Sequence, residues 1–158
     1  MELRDYLIDQ KGKDWPELLS EWMPALPEKF TIWLVNCLGD VFFVLDDGSV
    51  HMLDIGSGEV ARLANSREEF GEKIGQGDNA ENWLLISLVD QCVAAGMRLG
   101  PEECYGFKIP PVLGGKYERS NLEPTDLAIH YSLLGQIHEQ TKDLPAGAQI
   151  TGIKIDDK

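Results

Sequence analysis

The sequence contains few cysteines and little positive charge, and both shortages exclude classes of protein. The three cysteines, Cys37, Cys92 and Cys104, are an odd number without close pairs, which is not the pattern of a disulfide-stabilised secreted domain. We therefore expect buried free thiols. Only 14 lysines and arginines stand against 27 aspartates and glutamates, and the net charge is −13. Proteins that bind nucleic acids or anionic membrane surfaces need a basic face, so the sequence predicts neither partner.

Long apolar runs and a secretion signal are also missing. The first residues, Met1 to Asp5, lack the basic region and the apolar stretch of a signal peptide. No apolar run approaches the roughly 18 to 20 residues that span a bilayer. We expect a soluble, cytoplasmic protein. The 158 residues, of which 43% are apolar, are enough for a single domain, 1–158, with a real core.

A series of short apolar segments separated by turn residues predicts an antiparallel β-meander. Asp46-Asp47-Gly48-Ser49 and Gly56-Ser57-Gly58 are the strongest turn signals, because aspartate and glycine tolerate the backbone conformations of tight hairpins. Strands separated by such short loops pair with their neighbours in the chain. The predicted strands are Phe30–Val35, Val41–Leu45, Val50–Ile55 and Glu59–Leu63.

Helical patterns lie on both sides of the meander. Residues 1–30 form a helical N-terminal extension, with short helices at Leu3–Gln10 and Glu17–Met23. Ser66 and Glu69 form a capping box, which predicts a helix from Arg67 to about Ile74. The segment Ala80–Ala95 is apolar around most of its circumference, so it is predicted to be one long central helix lying on the sheet.

The last third of the chain predicts further elements around a shaped loop. A short strand is expected at Tyr105–Ile109, and a last strand or tail at Ile150, Ile153 and Ile155. Between them the pattern predicts a helix from Thr125 to Lys142 with Thr125 as its candidate cap, or a strand at Ile129–Tyr131 followed by a shorter helix from Ser132. The fold class is therefore α+β: an antiparallel β-meander packed against a central helix, with flanking N- and C-terminal helices. Residues 31–158 form the α+β part.

The segment Cys104–Tyr117 combines two adjacent prolines, Pro110 and Pro111, with three glycines. Proline fixes φ and glycine permits positive φ, so this segment has a particular shape and little regular structure. Two interpretations stay open, a structural turn that joins a strand to a helix and a binding loop on a rigid scaffold.

The sequence shows no established pattern of catalytic or metal-binding residues. His130 and His138 are eight residues apart, which does not fit a zinc-binding helix. A nucleophile pair of Cys104 and His130, with Asp126 nearby in sequence, has no local signature. No catalytic residue, cofactor or metal is therefore predicted.

Several motifs resemble one known family. The motifs are Leu99-Gly100-Pro101, the run Cys104–Tyr117 with its Gly-Phe-Lys-Ile-Pro-Pro core, Asn121-Leu122-Glu123, Asp126-Leu127 and His130–His138, with weaker matches back to about Leu38. They resemble a bacterial immunity-protein family, similar to the C-terminal domain of the protein that neutralises a DNase effector of type VI secretion systems. This domain was long of unknown function and is associated with GAD-like domains.

The resemblance implies an interaction protein without catalysis. Its partner would be a cognate basic effector toxin, a DNase, bound in the cytoplasm, and a strongly acidic chain would be steered toward it. The expected contacts are acidic loop residues and residues of the Gly/Pro loop, namely Asp46, Asp47, Asp54, Glu59, Tyr105, Phe107, Lys108, Tyr117 and His130. Two alternatives remain: a small-ligand or regulatory domain with the loop and His130 lining a pocket, and a hydrolase that uses Cys104, His130 or Asp126.

Overall fold

The computed structural model describes residues 2–144 together with Gly152 and Ile155. Its largest element is a four-stranded antiparallel sheet with the strands in chain order, so the predicted meander is confirmed. The strands are β1 (Thr31–Val35), β2 (Val41–Val44), β3 (Val50–Leu53) and β4 (Val60–Ala64).

The middle of this sheet is the centre of the core. All four residues of β2 are buried, which explains why its sequence is continuously apolar and does not alternate. Phe42 pairs with Met52 of β3, and Phe43 pairs with His51. Phe70, from the helix that follows β4, contacts the ring of Phe42 edge to face at 5.8 Å.

The N-terminal thirty residues form short helical turns and contribute to the same core. A 3-10 helix (Leu3–Tyr6), an α-helix α1 (Trp15–Leu18) and a second 3-10 helix (Ser20–Ala25) are all shorter than predicted. The amide of Ile8 donates to the carbonyl of Val35, which covers part of the β1 edge. The core cluster includes four residues of this segment: Tyr6, Leu19, Trp22 and Leu26.

Helix α2 (Arg67–Lys73) has its predicted cap, with Ser66 Oγ accepting from the amide of Glu69 at 3.0 Å. Two helices follow, α3 (Asn79–Leu84) and α4 (Ile86–Ala94), on either side of Leu85. The prediction of one continuous helix at Ala80–Ala95 is therefore wrong.

Leu85 adopts φ 55° and ψ 46°, a left-handed conformation that is unusual for leucine. The side chain of Glu81 accepts from the amide and hydroxyl of Ser87 at 3.0 and 2.9 Å. These bonds satisfy one of the free backbone amides in the first turn of α4, so they compensate in part for the interrupted helix. Val93, predicted to be part of the apolar face of one long helix, is 45% exposed.

The C-terminal half contains a β-ribbon and the longest helix of the described residues. The ribbon consists of β5 (Glu103–Phe107) paired antiparallel with β6 (Leu122–Asp126), and α5 (Leu127–Thr141) follows directly. Strand β6 was not predicted. Asp126 caps α5 by accepting from the amide of Ile129 at 3.1 Å, so the prediction of Thr125 as the cap is wrong.

Helix α5 packs on α1, the second 3-10 helix and the β5–β6 ribbon. Together the two sheets and the helices confirm the α+β class. The last strand predicted at Ile150 and Ile153 lies outside the described residues, and Ile155 is not in a strand. Cys37, Cys92 and Cys104 are free and buried as predicted. Within the described residues, no helix is long and apolar enough to cross a membrane.

Candidate functional site

The turn between β1 and β2, residues 36–40, connects the separate parts of the fold through the buried side chain of Asn36. Its Oδ1 accepts from the amides of Leu38 and Asp40, both at 3.0 Å. Its Nδ2 donates to Asp40 Oδ2 at 2.9 Å and to the carbonyl of Trp83 at 3.0 Å. One asparagine therefore shapes the turn and holds the end of α3 against it.

The carbonyl groups of the same turn bind the C-terminal half of the chain. The hydroxyl of Tyr131 donates to the carbonyl of Gly39 at 2.7 Å, and the amide of Tyr105 donates to the carbonyl of Cys37 at 2.8 Å. His130 Nε2 lies 3.1 Å from the carbonyl of Leu38. A carbonyl only accepts, so this ring nitrogen carries the proton. The turn thus positions the β5–β6 ribbon and α5 relative to the meander.

Two buried titratable groups at this turn have opposite pH responses. Burial lowers the pKa of His130 to about 4, although its bond to the Leu38 carbonyl favours the charged form. Burial and the negative charge of Asp54 raise the pKa of Asp40 to about 7. As pH falls, the unfolded histidine is protonated first, which destabilises the fold, whereas the folded Asp40 is protonated first, which stabilises it.

His130→Gln is expected to be less stable than wild type at pH 7.5, and this deficit should shrink by roughly 2–3 kcal/mol at pH 4.5. The wild-type fold loses stability as pH falls from about 6.5 toward 4, because only the unfolded His130 takes up a proton. Glutamine keeps a donor for the Leu38 carbonyl and does not titrate. Urea unfolding of both proteins at the two pH values measures the effect, and the Asp40 contribution cancels in the comparison. If the stability difference between the two proteins is the same at both pH values, the lowered pKa of His130 is contradicted.

Three residues predicted to contact a partner lie in the interior. Tyr105 and His130 are only 2% and 3% exposed. Phe107 is buried beneath Tyr117, with ring centroids 5.1 Å apart. The hydroxyl of Tyr105 is held by the carbonyl of Met97 at 2.6 Å. In this conformation their side chains build the fold and present no contact surface, which corrects the sequence-based expectation.

The predicted acidic residues fall into two groups at opposite ends of β3. Asp46 and Asp47 lie in the β2–β3 hairpin, where Asp47 accepts from the amide of Ser49 at 2.9 Å. Asp54 and Glu59 lie in the β3–β4 turn. The four residues of β3 separate the groups by roughly 10 Å or more.

The β3–β4 turn lies against the Gly/Pro loop, so the structure brings Asp54 and Tyr117 together. Asp54 Oδ1 accepts from the amide of Gly56 at 2.9 Å, and the hydroxyl of Tyr117 lies 3.4 Å from the same oxygen. A Cβ at Gly56 would overlap that hydroxyl, and a Cβ at Gly58 would overlap the ring of His138. The two glycines allow this close packing.

The loop Lys108–Tyr117 is fixed by Asn121, which the sequence showed only as part of a family motif and not as a loop contact. The Asn121 side chain accepts from the amide of Ile109 and donates to the carbonyls of Ile109 and Lys116, each at 2.9 Å. Its own carbonyl accepts from the amide of Lys108 at 2.8 Å. A Cβ at Gly115 would overlap the Ile109 carbonyl, so the two arms of the loop are in contact. The loop is thus a rigid binding-loop candidate.

Large apolar side chains project from this rigid loop into solvent. Ile109 is 54% exposed, Leu113 38% and Tyr117 42%. Lys108 and Lys116 are exposed on the same loop, and Glu59 is exposed on the adjoining turn. Exposed apolar groups beside charged ones on a fixed backbone are typical of a protein-binding surface. We call the loop and the turn together, residues 54–59 and 108–117, the loop face.

The arrangement of Cys104, His130 and Asp126 does not support the hydrolase alternative. Cys104 is completely buried, and burial raises the pKa of its thiol well above the ordinary value, so it lacks the activated thiolate of a nucleophile. His130 directs Nε2 at the Leu38 carbonyl, and Asp126 caps α5. Among the described residues, no group of three or more histidine, cysteine or acidic side chains could hold a metal ion.

The ligand-binding alternative placed a pocket at the Gly/Pro loop and His130. His130 is closed off by the fold and does not line an open pocket there. A groove of about 500 Å³ lies elsewhere, between the N-terminal helical turns and β1, and its lining includes Trp15, Met23 and Phe30. The charged residues that line this groove are Glu28, Lys29 and Asp46. The groove and the loop face belong to different segments of the chain.

Comparison with known proteins finds one family match. Residues 64–138, just under half of the sequence, match the family described as "T6SS immunity protein Tdi1, C-terminal". This match to a family of type VI secretion system immunity proteins confirms the resemblance seen in the motifs. No curated protein matches the chain. The matched region includes α2 to α4, the β5–β6 ribbon, the Gly/Pro loop and all but the last three residues of α5.

Proposed function

We propose that this protein binds a secreted nuclease effector in the cytoplasm and neutralises it without catalysis. The observation that carries the proposal is the family of residues 64–138, immunity proteins of type VI secretion systems. An immunity protein must recognise one effector through a defined surface. The rigid loop face, of which residues 108–117 lie in the matched region, is a surface of that kind.

The charge of the protein supports a basic nuclease as the partner. A nuclease holds the phosphate backbone of DNA through basic groups. A protein with a net charge of −13 is steered toward such a surface and competes with DNA for it. The acidic contacts proposed are Asp46 and Asp47 in one hairpin and Asp54 and Glu59 in the other turn. An interface of about 800 Å² per partner is wide enough to reach both ends of β3.

The test is protection of a host cell. A candidate nuclease effector of a type VI secretion system is expressed in cells with and without this protein, and the same effector inactivated at its catalytic site is the control for general toxicity. Survival and intact chromosomal DNA are expected only with the protein, together with association that weakens as salt is raised. Death in both cultures, with no association between the two purified proteins, would contradict the proposal.

A further inference from the structure

The Lys108–Tyr117 loop concentrates exposed apolar surface in one place. Ile109, Leu113 and Tyr117 lie within nine residues and are each at least 38% exposed. The other large exposed apolar residues of the described chain are far apart from one another in sequence: Leu3, Met23, Val60, Val93, Ile129, Leu144 and Ile155. Scattered apolar residues need no explanation, whereas a local group of them indicates a binding surface.

The backbone of the loop keeps these side chains exposed. The side chain of Asn121 accepts a hydrogen bond from the amide of Ile109 and donates to the carbonyls of Ile109 and Lys116. Inside the loop, the amides of Leu113 and Gly115 donate to the carbonyl of Pro110 at 2.9 and 3.0 Å. Because the loop cannot fold back over its own apolar groups, little conformational entropy remains to be lost when a partner covers them.

On the loop face, the negative side chains lie on the β3–β4 turn and the positive side chains lie on the loop. Asp54 lies beside the Tyr117 hydroxyl, and Glu59 is on the same β3–β4 turn. Lys108 and Lys116 are on the loop itself. A partner that fits has an apolar recess for the loop, basic groups toward the turn and acidic groups toward the lysines. A tyrosine with an apolar ring and a polar tip at such a boundary is a common centre of binding energy.

We propose that Ile109 and Leu113 are the apolar anchor of the effector interface and insert into a recess on the nuclease, while the exposed edge of Tyr117, whose ring packs on Phe107, borders that contact. This inference rests on the proposed function and goes beyond it, because it assigns the main contact to apolar residues of the loop and not to the overall negative charge of the protein. The acidic turn at Asp54 and Glu59 then fixes the orientation of the effector through its basic groups.

The experiment measures the affinity of this protein for a catalytically inactivated form of the nuclease effector against which it protects cells. Ile109→Asp and Leu113→Asp should each weaken binding by about 100-fold, because a charge enters the apolar recess without a partner. Ile129→Asp is the matched control: Ile129 is 63% exposed on α5, at the opposite end of the β5–β6 ribbon from the loop. Its affinity should stay within about threefold of wild type. Thermal unfolding of all three variants confirms that they fold.

A second variant tests the acidic turn. Asp54→Asn keeps an oxygen for the amides of Gly56 and Ser57 and removes only the charge. It should weaken binding about tenfold and lessen the salt dependence. If wild type binds and protects while the two loop variants bind as tightly as Ile129→Asp, the loop anchor is wrong and the immunity function stands. If wild type itself neither binds nor protects, both proposals fail.

Discussion

Asn36→Ala is expected to lower the free energy of unfolding by about 4 kcal/mol. The substitution removes every partner that the Asn36 side chain supplies: the acceptor for the amides of Leu38 and Asp40, and the donor for Asp40 Oδ2 and the Trp83 carbonyl. These groups are at the centre of the fold, where water does not replace the lost bonds. An unpaired buried polar group costs about 1–3 kcal/mol, and a buried carboxylate costs more.

Chemical denaturation of Asn36→Ala and wild type measures this loss. Asn82→Ala is the control, because Asn82 is exposed on α3 and alanine is the better helix former. The control should change stability by no more than about 0.5 kcal/mol. If both variants unfold at the same denaturant concentration as wild type, the turn at residues 36–40 does not connect the parts of the fold as described.

Trp22→Ala is expected to cost about 4 kcal/mol, in the range for removing a buried tryptophan from a core. Trp22 is fully buried, its Nε1 donates to the carbonyl of Tyr131 at 3.0 Å, and its ring stacks on His138 at 5.1 Å. Gly135 provides the space, since a Cβ there would lie 3.2 Å from Trp22 Nε1. The side chain therefore joins the N-terminal segment to α5.

Trp22→Phe distinguishes how much of the stability comes from the volume of the ring and how much from its hydrogen bond. It should recover about half of the loss, because it refills most of the cavity and leaves the Tyr131 carbonyl without its donor. Both variants should still unfold in one transition, as expected for a single domain, 1–158. Two separate transitions, or a loss below about 1 kcal/mol in Trp22→Ala, would show that residues 1–30 are an independent extension.

The sequence predicted local elements well where the chain carries local signals. Asp46-Asp47-Gly48 marked the hairpin, and Ser66 marked the start of α2, because both act through neighbouring residues. The break at Leu85 has no such signal, since a leucine with positive φ is held by its surroundings and not by its own preference. Strand β6 was missed because Pro124 and its charged neighbours argue against a strand, although pairing with β5 accommodates them.

The candidate site was predictable only in part. The Cys104–Tyr117 segment was recognised as shaped, but its composition does not say which aromatics face inward. Tyr105 and Phe107 are buried because they belong to β5, whereas Tyr117 is exposed because it ends the loop. Asn36 follows a strand and precedes Gly39-Asp40. Asparagine, glycine and aspartate together are a turn signal, so the role of Asn36 in shaping this turn could have been predicted. Asn121 acts on residues up to twelve positions away, which no local pattern indicates.

The most direct test of the account is a titration of the purified effector nuclease with this protein while DNA cleavage is followed. A binding inhibitor should reduce cleavage in proportion to its amount and abolish it at one molecule per effector. The concentration of this protein that halves DNA cleavage should rise with salt, because salt screens its acidic residues. Full cleavage at tenfold excess of this protein would contradict neutralisation by binding. Complete loss at a small fraction of one equivalent would contradict a non-catalytic mechanism.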